Sequence, residues 1–220
     1  MPSNRVERFE RFRWEHPEWW LGVIAVAAWI VLLAPARLHG FASWAVMVGA
    51  MALPLATPGA RRLAHRVLAV RRQRTVVLHA VAFAGVWLLL GAVAIAVVET
   101  LGLGYAAGAA TLLAAAAWHV SPIRRRALRR CGAGRLPSVT GRAADLDCLR
   151  SGLAAARVTV VTHGLPMLTM AAVHSVSLAL ALSLLAAVEC RPGPNADRRA
   201  GRPFEALALA GLGLAIAVTG

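Results

Sequence analysis

A chain of 220 residues that is 59% hydrophobic and only 15% charged is too apolar for an ordinary soluble domain, and its net charge of +14 cannot be read as it would be in one. All 24 basic residues are arginine, and most of them sit in the gaps between long runs of Ala, Val, Leu and Gly, which is the distribution that membrane topology imposes. The composition therefore excludes a nucleic-acid-binding domain, for which clustered positive charge would otherwise argue, and predicts an all-α, multi-span transmembrane helical bundle of about seven helices.

Residues 1–18 read as a cytoplasmic or interfacial amphipathic segment. Arg5 to Glu18 holds four Arg and four Glu, sets Glu7 and Arg11 at i,i+4 spacing, and offers Val6, Phe9 and Phe12 to a lipid boundary. A secretory signal would be poor in acids and would carry a small-residue cleavage site after its apolar core. Trp19 and Trp20 then suit an interfacial aromatic belt.

Residues 19–220 read as a single polytopic membrane domain. Trp19 to Ala36, Phe41 to Thr57, Thr75 to Val98 and Leu101 to Val120 each approach the length a helix needs to cross a hydrocarbon core of about 30 Å. From Gly152 to Glu189 the chain is largely apolar for 38 residues, about 57 Å as one helix, so this stretch must reverse and cross twice. Gly164, Leu165 and Pro166 are the stronger turn signal; the alternative is that Pro166 only kinks the fifth span and the chain reverses near His174 and Ser175. Phe204 to Val218 is a short seventh span.

Basic loops at 58–74, 121–151 and 190–203 are expected on the cytoplasmic side, and the arginine-poor connections at 37–40 and 99–100 outside, which puts the amino terminus in the cytoplasm. Cys131, Cys148 and Cys190 all fall on that reducing side and show no CxxC spacing, so no disulfide framework is expected.

Beyond the initiator there are four methionines, in two pairs. Met47 and Met51 stand at i,i+4, while His163, Met167, Met170 and His174 follow at offsets that keep them within roughly 60° of one helix face. Thioether and imidazole donors suit Cu(I) rather than calcium or magnesium, so these six residues are the candidate metal ligands. The competing reading is packing: methionine fills irregular gaps in apolar cores, and a histidine in a membrane helix can be satisfied by its neighbour. His39 is a candidate extra ligand at the mouth of the site; His79 and His119 read as interfacial, and His16 and His65 as solvated. No phosphate-binding glycine loop, HExxH pair or nucleophile with an adjacent base occurs, so no enzymatic activity is expected.

Trp44, Met47, Ala50, Met51 and Pro54 in WAVMVGAMALP, together with Ser121, Pro122, Leu128 and Cys131 in HVSPIRRRALRRC, resemble the signatures of the bacterial predicted metal-binding integral membrane proteins (domain of unknown function 2182), a copper-chaperone-like family. Leu149, Arg150 and Gly152 look like the entrance to that family's next helix, and Glu189 like the acid closing the one after. The likeness covers roughly residues 40–190. It departs at the fifth span, where Ser151 stands in place of a histidine and Ala154 to Val161 carry no cysteine. Either His163, Met167 and Met170 supply substitute soft ligands, or the scaffold has been kept without the metal; Arg157, a fixed charge in the span, leans toward the second. The resemblance implies a bacterial plasma-membrane protein that binds or delivers copper, with the lipid bilayer and a copper protein or membrane complex as partners. The alternative is a non-metal structural or assembly subunit of a membrane complex.

Overall fold

The structure, a computed structural model, describes residues 3–34, 38–130, 138, 141–173, 175–189 and 203–219. Among these there is no strand; the fold is all-α. Helix α1 (Ser3–Glu15) meets α2 (Trp19–Leu33) at 91° across Pro17. Helix α3 (Gly40–Met47) continues through a π-helical turn (Val48–Ala52) into α4 (Leu53–Ala64), and a 3-10 turn (Ala69–Arg71) opens α5 (Arg72–Leu101). Then come α6 (Tyr105–His119), α7 (Pro122–Arg130), α8 (Gly141–Ala172), α9 (Val176–Glu189) and α10 (Pro203–Thr219).

Among the described residues two rods, Gly40–Ala64 and Ala69–Leu101, are long and apolar enough to cross a membrane, and the bent α1–α2 pair reaches that length only if its two helices are counted as one span. The α5 rod ends at Gly102, whose φ of +60° supplies the left-handed residue that closes a helix. The expected turn at Gly164 to Pro166 is not formed: α8 runs through all three residues, and reversal comes after Ala172, with α9 starting at Val176. Proline tolerates a helix interior when the carbonyl it deprives finds another donor, and here Arg124 provides one to the Thr162 carbonyl. His174, at the reversal, lies outside the described residues, as do Cys131 and Cys190.

Helices α5 and α8 run side by side in the same direction. At their starts Asp145 bridges Arg71 and Arg74, each at 2.6 Å, and one turn further along α8 Cys148 is buried beside Thr75. Gly152 presses against the α5 backbone at His79, so closely that a Cβ there would overlap the His79 carbonyl oxygen. Helix α4 runs the other way along α5: Trp44 donates through Nε1 to the Trp87 carbonyl at 2.9 Å and fills the notch left by Gly91, while Gly59 lies against the His79 ring. Glycine at these contacts is what lets the helix backbones approach so closely. Trp44, Phe83 and Trp87 are fully buried at the centre, in one continuous apolar core with Met47, Met51, Met167 and Met170.

On the side assigned to the cytoplasm, Ser138 donates its backbone N–H (3.0 Å) and its hydroxyl (2.7 Å) to Asp147, and these two bonds hold that carboxyl below the usual carboxylate range. Burial pushes the Cys148 thiol up, which keeps it a protonated and poor metal ligand.

Candidate metal centre

A cavity of about 280 Å³ lies between α2, the π turn with the start of α4, α8 and α9. Met51 enters it from the π turn, and His163, Pro166 and Met167 from α8; Trp29, Pro54, Leu55, Leu182 and Ser183 complete much of its wall. Met51 and His163 are 112 positions apart in the chain, so only the fold brings them to one space. Met51 lies near the middle of the Gly40–Ala64 rod, which sets the cavity at mid-length of that rod.

Met47 and Met170 do not line this cavity. Both are buried in the surrounding apolar core. Met51 sits in the π turn Val48–Ala52, about one helical turn along the rod from Met47, and sequence periodicity has no means of anticipating such a turn.

His163 is buried and its ring is held by the residue before it. The Thr162 hydroxyl donates its single proton to the Val158 carbonyl at 3.0 Å, with the Thr159 carbonyl at 3.2 Å as its alternative. Its oxygen lies 2.7 Å from His163 Nδ1, and in the tautomer with the ring proton on Nδ1 that nitrogen donates to it and Nε2 carries the lone pair. Fixing the tautomer through the far nitrogen is how imidazole ligands are oriented toward metals.

The donor set of the cavity is therefore two thioethers and one imidazole, all uncharged. Soft, neutral ligands of this kind fit a monovalent soft cation and offer little to magnesium, calcium or zinc. Among the described residues no three His, Cys, Asp or Glu side chains are grouped to hold a metal, so a soft-metal site in this cavity would draw on methionine. Arg157 is exposed on the outer face of α8 and does not line the cavity, so its charge is not fixed beside these ligands. His39 caps the start of α3 in an exposed position. His79 and His119, read from sequence as interfacial, are both buried among the helices.

Sequence reading missed Trp29 and Ser183, which carry no motif. It also missed the part played by Trp118 and Arg124. Arg124 was counted with the charges of a basic loop, yet it is fully buried and donates through Nε to the Thr162 carbonyl at 3.1 Å. A proline four residues after Thr162 is the signal that such a donor was needed.

The described helices thus enclose one cavity that two thioethers and one imidazole line together. In comparison with protein families, the PpoB2 family model, described as copper chaperone, matches residues 41–216. The chain belongs to this copper-chaperone family. No curated protein and no solved structure matches it.

Proposed function

We propose that this protein is a multi-span plasma-membrane protein that binds Cu(I) in the cavity between α2, α4, α8 and α9 and passes it to a copper protein or membrane complex. The observation that carries the reading is the meeting of Met51, His163 and Met167 on one cavity wall in a member of a copper-chaperone family. Three neutral donors bind Cu(I) without trapping it irreversibly, which a carrier requires, because a fourth ligand from a recipient can enter and displace a thioether. Copper is cargo in this scheme, and the protein performs no bond-making chemistry on it.

Membrane insertion is supported by the outward face of the bundle. The most apolar window of the α5 rod has a mean hydropathy of 2.6 yet is only 22% buried, so its Val81, Leu89, Val93 and Val97 face outward. Val26, Ile30 and Leu33 do the same on α2. A soluble protein does not expose contiguous apolar surface on this scale. Helix α1, turned 91° from α2 with Phe9, Phe12 and Trp14 exposed, has the arrangement of a helix lying in the interface plane. Reporter fusions at positions 66 and 135 should both report the cytoplasm and a fusion at 38 the outside; fusions at 66 and 135 on opposite sides would overturn the topology.

Copper binding is tested by Cu(I) titration of the detergent-solubilised protein against a competing chelator. The native chain should retain about one Cu(I), and the double variant Met51→Leu with Met167→Leu should retain none while its helical signal is unchanged. Met47→Leu and Met170→Leu should both behave as the native chain. A native protein that holds no more copper than the double variant leaves the structural-subunit reading in place.

A further inference from the structure

We infer that Trp118 and Arg124 are positioning residues: they supply hydrogen bonds to the turn of α8 that Pro166 leaves incomplete, and through Thr162 they set the imidazole of His163. This rests on the metal reading of the cavity for its functional consequence, though not for its geometry.

One backbone proton is missing from α8. In an α-helix the carbonyl of residue 162 accepts from the N–H of residue 166. Residue 166 is proline, which has no N–H and whose ring crowds that same carbonyl. Thr162 is buried, so water cannot substitute, and a buried carbonyl without a donor is costly. Arg124 Nε supplies the donor at 3.1 Å from 38 positions earlier in the chain. The preceding carbonyl, that of Val161, accepts from Trp118 Nε1 at 2.7 Å. Two adjacent carbonyls just before the proline are thus bound by side chains from outside the helix.

Both donors come from the two sides of the break between α6 and α7. Helix α6 ends at His119, Ser121 accepts the Arg124 backbone N–H through Oγ at 3.2 Å, and Pro122 occupies the first position of α7. Serine before the helix and proline at its first residue form a well-capped start. That start fixes the backbone from which Arg124 reaches Thr162. The segment from His119 to Arg124, recognised in sequence only as part of a signature, is thereby given a physical task.

The consequence reaches the cavity through one residue. Thr162 receives Arg124 on its carbonyl and holds His163 Nδ1 with its hydroxyl, while Met167 immediately follows Pro166. The incomplete turn therefore lies between the imidazole and the thioether of α8. None of Trp118, Arg124 or Thr162 lines the cavity itself, so they act on the ligands and not on the metal.

A double-variant cycle of Arg124→Met with Pro166→Ala, read by thermal unfolding of the copper-free protein in detergent, tests the geometry. Arg124→Met alone should lower Tm by about 4–10 °C. In the Pro166→Ala background the alanine N–H serves the Thr162 carbonyl, and the same substitution should cost no more than half as much. Equal losses in both backgrounds would overturn the inference. If Arg124→Met does not fold, the cycle of Arg124→Lys, which keeps the charge but loses the Nε donor, with Pro166→Ala decides in the same way. The functional arm is Cu(I) affinity: Thr162→Val should weaken it roughly 10–100-fold, the usual effect of losing a ligand's orienting partner, and Thr162→Ser should restore it. An unchanged affinity in Thr162→Val, with the native chain binding copper, overturns the positioning role. A native chain that binds no copper defeats the metal reading alone, and the stability cycle still decides whether the carbonyls are served from α6 and α7.

Discussion

Gly152→Ala is expected to destabilise the protein strongly. The added carbon would overlap the His79 carbonyl oxygen and lie 2.9 Å from the Ala82 Cβ. Both obstacles belong to the α5 rod, and one of them is backbone, which has no rotamer by which to move aside. Overpacking commonly costs about 1–3 kcal/mol, and an obstruction by backbone belongs at the top of that range, so Tm should fall by roughly 6–12 °C for a chain of this size. Gly85→Ala provides the contrast. It too is a helix-interior glycine of α5, but nothing lies within 4 Å of its Cβ position. There alanine should stabilise by about 0.5–1 kcal/mol through helix propensity alone. Thermal unfolding of the two variants in one detergent gives opposite signs if α5 and α8 pack as described. Equal Tm values would mean that they do not.

The second large effect concerns His163. Among the three proposed ligands it is the only imidazole and the one whose ring a neighbouring hydroxyl holds. His163→Phe should weaken Cu(I) retention at least about 100-fold, beyond the 10–100-fold expected from disturbing a ligand's hydrogen-bond partner. His163→Met, which keeps a soft donor, should retain copper more tightly than His163→Phe and less tightly than the native chain. Chelator competition on the three proteins measures the order. If His163→Phe holds copper as the native chain does, the imidazole is not a ligand and the cavity's role must rest on methionine alone.

The residues that make these predictions divide sharply in how visible they were beforehand. The all-α architecture was legible because two physical rules act on the sequence directly: lipid excludes guanidinium, and about 20 apolar residues make one crossing. The cavity's partnership was half legible. Pairing the methionines of 47–51 with the histidine and methionine of 163–167 followed from donor chemistry, and the structure brings Met51, His163 and Met167 together. Periodicity also proposed Met47 and Met170, which the structure leaves in the apolar core around the cavity, because spacing gives the face of a helix but not the level at which a neighbouring helix leaves space. The turn expected at Gly164 to Pro166 was misplaced for a related reason. Proline signals the loss of a hydrogen bond, but whether the helix ends there depends on whether a distant group can replace it.

By itself the sequence determined where charge is allowed, which stretches are helical, and that its soft donors are methionine and histidine in an apolar setting. These are properties of each segment against its solvent, and they need no knowledge of the neighbours. Tertiary structure alone decided that α8 continues past Pro166, that Arg124 is buried against it, and that Met51 shares a cavity with Met167 when Met47 does not. Each of those outcomes depends on a contact between residues dozens of positions apart, where a carbonyl or a glycine notch on one element is satisfied only by what another element presents to it.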